Sequence, residues 1–151
     1  MNTKRITVLV LIIAGLGIGG AYALSNTIDN STGSTHVSSS GVPWQSVEKD
    51  GIPPGMELKR LHTNPYSKGG VVKLRFSSGY IEPQHYHTTA GHSVYVVSGR
   101  INYMGVVATA GDFIYTPPNV VHGVVVLEPT EILLWSDGPM DFHLSEENIK
   151  E

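Results

Sequence analysis

Residues 71–76, Val-Val-Lys-Leu-Arg-Phe, alternate apolar and polar positions with a period of two, which predicts a half-buried strand. Residues 93–98, Ser-Val-Tyr-Val-Val-Ser, predict another, ended by Gly99; residues 101–104 begin the next, so the two form a hairpin. Residues 113–116 read as a strand stopped by Pro117-Pro118, since proline cannot donate to a central ladder. Residues 120–127 and 131–135 predict the last strands, separated by a turn at Glu128-Pro129-Thr130. Upstream, residues 56–61 alternate imperfectly and suit an edge strand between the loops 51–55 and 64–70, and residues 136–143 read as an extended loop. Evenly spaced strands with turn signals predict an all-β sandwich or barrel.

The N-terminus departs from this pattern. Lys4 and Arg5 precede an uncharged run from Ile6 to Leu24, and Ala21-Tyr22-Ala23 is a small-x-small cleavage site, so residues 1–24 are expected to be a signal peptide or an uncleaved membrane anchor. Either case places the domain outside the cytoplasm and limits membrane contact to this segment. Residues 25–41 are rich in Ser, Thr and Gly and read as a flexible linker, with a solvated His36 and a glycosylation acceptor pattern at Asn30-Ser31-Thr32. Residues 42–151 remain as a single domain.

Composition narrows the chemistry. With 17 glycines, 9 prolines and only 15% charged residues, short strands and turns are favoured over helices. The chain has no cysteine, so any metal must be held by nitrogen and oxygen donors. The net charge is −3, or −5 from Ser25 onward, where 8 basic residues face 13 acidic ones. No basic stripe is present, which argues against nucleic-acid binding.

Four of the seven histidines fall in two stretches, residues 79–99 and 111–122. His85 and His87, two apart, leave the same face of an extended strand. His92 follows beyond the bend that Thr88-Thr89-Ala90-Gly91 allows, and His122 opens the apolar run Gly123-Val124-Val125-Val126-Leu127. If the two stretches pack together, four imidazoles converge, a donor set suited to zinc, copper, iron or nickel. His62, at a strand end, is read as structural.

The first stretch resembles the first cupin motif: a glycine, five residues, His-x-His, three or four residues, a glutamate, six residues and a glycine. Gly79, His85, His87 and Gly99 fall in place, and His92 stands where the glutamate usually does. The second stretch resembles the second motif through Gly111, Pro117 and His122, with Asn119 in place of a glycine. Asparagine tolerates a left-handed backbone, so the turn can be kept. The run from Pro53-Pro54-Gly55 through Leu74 and Gly79 to His92, with Ser136-Asp137-Gly138-Pro139 after the last strand, is similar to a group of small exported bacterial cupins.

The resemblance implies a single cupin jelly-roll β-barrel with one divalent transition metal ion (Fe, Mn, Cu, Ni or Zn) on His85, His87, His92 and His122. Four neutral donors would leave the ion's full charge and two open octahedral positions, as in cupin dioxygenases acting on diketone-like or phenolic substrates. A tetrahedral zinc would instead be closed and structural. The expected partner is a small chelating or aromatic molecule; the alternative is a non-catalytic small-molecule or metal-binding module. Cupins also often form homodimers. Strand alternation turns Tyr86 and Tyr95 away from the metal and Val94, Val96 and Val124 inward, while Tyr103, Met104 and Phe113 or Tyr115 could wall a pocket. No clear general base stands out.

Overall fold

A computed structural model describes residues 27–29 and 34–146. The apolar segment expected to be a leader or anchor lies outside the described residues. Among the described residues, no helix is long and apolar enough to cross a membrane. The chain divides into two units, one ending at Val42 and the other beginning at Pro43.

In the first unit, β1 (Thr27–Asp29) pairs antiparallel with β2 (Ser34–His36), and a single 3-10 turn follows at Ser39–Gly41. The tract read as a linker therefore carries a short ladder, with His36 exposed.

The second unit contains β3 (Gln45–Ser46), β4 (Met56–Thr63), β5 (Gly70–Phe76), β6 (Ile81–Tyr86), β7 (His92–Tyr103), β8 (Val106–Thr109), β9 (Phe113–Thr116), β10 (His122–Ser136) and β11 (His143–Leu144). Every pairing is antiparallel. β7 and β10 pair with each other from end to end but exchange their outer neighbours halfway. The first half of β10 lies between β6 and the second half of β7, which β8 flanks. The second half of β10 lies between β5 and the first half of β7, which β9 flanks. Two sheets thus share two long bent strands, and the result is an all-β jelly-roll barrel.

The bends correct two expected strand breaks. Gly99 does not end a strand, and residues 128–130 do not form a turn between strands; both lie within continuous strands. Gly99 has φ +84°, and a Cβ there would stand 2.3 Å from the Pro129 carbonyl oxygen and 2.7 Å from Thr130 Cα. Opposite it, the β10 register shifts between Val126 and Glu131, and Thr130 Oγ1 accepts the Arg100 N–H at 3.0 Å. The two strands turn the same corner in contact, as strands that switch sheets do. The hairpin lies one step on, where β7 meets β8 across Met104-Gly105.

The core packs behind this corner. Val96, Ile101, Val126 and Thr130 are the most deeply buried side chains, joined by Met56, Phe76, Tyr80 and Ile132. Each such apolar side chain contributes roughly 1.5–3 kcal/mol on burial. Val94 and Val124 face inward as alternation predicts. Phe113, Tyr115 and Met104 are instead 57%, 50% and 49% exposed and lie outside the buried core; Phe113 packs on Trp135 at 5.8 Å. On the outer face Trp44 lies under Arg75 and Lys59, and Arg75 and Lys73 bond Glu57 and Glu131.

Candidate metal centre

The histidines gather at the barrel end away from the corner. His85 and His122 face each other in register across β6 and β10, and a bulge after His122 keeps both rings turned inward. Gly123 lets the strands close there, because a Cβ would meet the Glu82 carbonyl at 3.0 Å. Asn119 adopts φ +64°, as its place in the turn requires, and its N–H donates to the His87 carbonyl at 2.7 Å, tying the second histidine stretch to the first.

His85, His87, His92 and His122 are all buried, none more than 5% exposed. Ring centroids are 4.2 Å apart for His85–His122, 5.0 Å for His85–His87 and 5.1 Å for His87–His122. One nitrogen from each of these three lies within 4.8 Å of the other two. The His92 ring is beside them, 4.8 Å from His122 and 5.1 Å from His87, although its nitrogens stand outside that close group.

Hydrogen bonds settle which nitrogen is free. His85 Nδ1 meets the Pro83 carbonyl at 2.9 Å, and His122 Nδ1 meets the Val120 carbonyl at 2.9 Å, each two residues back along the chain. His87 Nδ1 meets the Asp141 carbonyl. A carbonyl can only accept, so each Nδ1 carries the proton and each Nε2 keeps its lone pair, as a metal-ligating imidazole needs. His92 Nδ1 is buried without a hydrogen-bond partner, an orphaned polar atom in this cluster.

Burial pushes all four histidines down, His85 to about 4 and His92 to about 3, helped by mutual repulsion. They are neutral at pH 7. Four neutral imidazoles, three with free Nε2 atoms and one with an unpartnered Nδ1, fit a transition metal ion.

The surroundings hold the rings in place. Phe142 stacks on His85 at 4.5 Å, Lys49 lies over Phe142, and Tyr103 stacks on His122 at 5.9 Å. The tail that brings Phe142 is clasped by Asp141, whose carboxylate accepts from the Thr88 and Thr89 N–H groups and their hydroxyls, and from His143. Those bonds hold the Asp141 carboxyl well below the usual carboxylate range. Tyr86 stacks on His143, away from the cluster, as expected from its position.

The histidines open into a cavity of about 290 Å3, walled mostly by apolar side chains including Leu58, Val72, Leu74, Val94 and Ile132. That size is near the lower end for small-molecule sites. Glu82 is the one carboxylate lining it among the described residues, and burial raises it to about 7. Sequence reasoning missed Glu82. Its signal was a lone acid three residues before His85, one position out of phase with the histidines, and the bulge opposite spoils simple alternation.

The model of the ChrR cupin-like domain matches residues 32–141. The chain belongs to this cupin family. DNA damage-repair/toleration protein DRT102 of Arabidopsis thaliana is 32% identical over 102 residues, 64% of this chain; the chain spans 31% of that protein's length. Similar solved structures include a candidate acetylacetone dioxygenase from Methylibium petroleiphilum (17% identical, TM-score 0.65, covering 74% of this chain and 81% of that one). The polyketide cyclase RemF from Streptomyces resistomycificus is 19% identical with a TM-score of 0.62, covering 74% and 87%. A predicted oxalate decarboxylase from Thermotoga maritima is 18% identical with a TM-score of 0.59, covering 69% and 99%. These likenesses establish the cupin barrel. The barrel brings His85, His87 and His122 together as metal-competent ligands, with His92 beside them.

Proposed function

We propose that this cupin is an extracytoplasmic mononuclear metal protein acting on a small chelating or aromatic molecule, as a metal-dependent dioxygenase or related oxidoreductase. The observation that carries this is the convergence of three buried imidazoles, each with its Nδ1 proton committed to a carbonyl, at one end of an apolar cavity. His85, His87 and His122 would hold the ion, with His92 as the fourth ligand. A bound transition metal supplies a Lewis acid for chelated oxygens and, where redox-active, access to O2.

The chain's own residues supply the rest. The apolar walls exclude water from a bound molecule. Glu82, near 7, exists in both protonation states around neutrality and can take a proton from an acidic C–H or O–H group and return it. Tyr103, raised to about 12, stays protonated beside His122. The naming of structural neighbours for a dioxygenase, a cyclase and a decarboxylase supports small oxygen-rich substrates as a class. Lys4, Arg5 and the uncharged run after them support export.

Elemental analysis of the untagged full-length chain tests the centre first. About one transition-metal equivalent per chain is expected, lost in His85→Ala/His122→Ala. O2 uptake over a panel of phenols and β-diketones then tests catalysis. Identical uptake by the metal-loaded and metal-free proteins would overturn the oxygenase reading, and ligand binding without turnover would leave a non-catalytic binding module.

A further inference from the structure

β4 places a charge on a face that is otherwise apolar. Met56, Leu58 and Arg60 share its inward face, and their register partners Phe76, Leu74 and Val72 line the same cavity. Arg60 stands at the mouth. Its Nη1 is 3.4 Å from where a Gly70 Cβ would be; the Gly70 N–H donates to Ser136 Oγ at 2.9 Å, and Ser136 is the register partner of His92. From Gly70 to His92 is two strand spacings, roughly 10 Å. Lys68 lines the same rim, and its Nζ donates to the Pro65 carbonyl.

The outward cations of these sheets are treated differently. Lys73, Arg75 and Arg100 each meet a glutamate. Among the described residues, no carboxylate lies within ion-pair distance of Arg60 or Lys68. Acids outnumber bases in this chain, yet Arg60 and Lys68, both exposed at the cavity rim, have no acidic partner among the described residues. A guanidinium there matches a carboxylate in bidentate geometry.

We propose that the cavity takes a small organic anion, its chelating oxygens toward the histidines, a short apolar body along Val72 and Leu58, and a carboxylate on Arg60 with Lys68 at the rim. This substrate class deepens the metal-centre reading and rests on it for the orientation of the chelating end. The anion contact itself rests on Arg60 and Lys68 at the rim.

A matched pair of diketones tests it. 4,6-Dioxoheptanoate and 2,4-heptanedione share one chelating end and differ by a carboxylate in place of a methyl. Titrated into the nickel-loaded full-length chain, the anion is expected to bind roughly tenfold tighter, the size of one charge-assisted contact. Arg60→Gln is expected to erase that preference while leaving metal content and heptanedione binding unchanged, Arg60→Lys to keep part of it, and Lys68→Gln to weaken it least. Equal affinity of the wild type for both diketones, or a preference that survives Arg60→Gln, would overturn the proposal. A separate arm uses hexanoate and sulfate with metal-free protein. Arg60-dependent thermal stabilisation by hexanoate and none by sulfate is expected, and sulfate performing equally would overturn the organic-anion assignment. If the wild type binds no metal yet shows the hexanoate effect, the metal centre fails while the anion contact stands.

Discussion

The two ends of this barrel are built from the same strands and do opposite work. At the corner end, β7 and β10 turn together at Gly99 and Thr130, and Val96, Ile101 and Val126 fill the space behind them with almost no exposure. At the histidine end the same two strands begin and finish, and the residues they present are His92, His122 and Ser136 around a cavity. One end buries almost entirely apolar surface, with the Tyr80 hydroxyl as its buried polar atom without a hydrogen-bond partner among the described residues. The other buries four imidazoles beside a half-buried carboxylate, a costly arrangement in a metal-free protein. Stability should therefore respond to changes at the corner, and ligand chemistry to changes at the mouth.

The largest expected effect breaks the corner. Gly99→Val would force a side chain into the Pro129 carbonyl and Thr130 backbone from a left-handed φ, with no flexible neighbour to yield. A loss of more than about 4 kcal/mol is expected, enough to remove the folded state of a marginal domain. Urea denaturation measures it; a two-state midpoint near the wild type's would show that the corner is not the mechanical centre of the barrel.

His122→Ala should separate the ends in the other direction. Metal affinity is expected to fall at least about a hundredfold, because one of the three clustered imidazoles is gone. The metal-free variant should stay folded, since the deletion also removes a buried polar ring. Calorimetric metal titration beside circular dichroism gives both readouts, and unfolding of the metal-free variant would place His122 in the core rather than the site.

Acid should find the mouth before the corner. The folded-state values of His85 and His92 lie below the ordinary 6.5, so the stability they carry is complete above about 6.5 and is lost as pH falls toward 4 and 3. Each histidine that must charge on unfolding steepens the fall by about 1.4 kcal/mol per pH unit. Metal-free protein should lose stability across this window, and bound metal should shift the loss to lower pH. A flat profile from pH 6.5 to 4 would contradict the burial of these rings.

How much of this was legible in the sequence follows from the range of the interactions involved. The period-two runs at residues 71–76 and 93–98 are local, and β5 and β7 lie where they predict. The histidine spacing is local too, and His85, His87 and His122 do converge. Gly99 and Pro129-Thr130 were legible as interruptions but not as a corner, because that depends on two segments thirty residues apart meeting in one place. Phe113 and Tyr115 looked like pocket walls because aromatic residues on a strand have two faces to choose from, and the choice is set by register with β7. Residues 56–61 were legible as a strand, but which cavity-lining residues stand beside Arg60 depends on its pairing with Val72.

Glu82 gives the finest division between the ends, because it is a charge at the mouth whose effect is read as stability. Its folded-state value of about 7 lies above the ordinary 4.5, so the neutral acid is the form the fold favours. The stability it carries is complete below about 4.5 and is lost as pH rises through 7, the reverse of the histidines. Glu82→Gln keeps the shape and cannot ionise. In metal-free protein the variant and wild type should be equally stable near pH 4 and diverge above it, the variant gaining about 2 kcal/mol by pH 8 once partial exposure of the carboxyl is allowed for. The same substitution should abolish proton transfer to a bound acidic substrate while leaving metal content unchanged. Parallel stability profiles from pH 4 to 8 would mean that Glu82 reaches solvent freely, and the cavity's proton acceptor would have to be sought in the ligand itself.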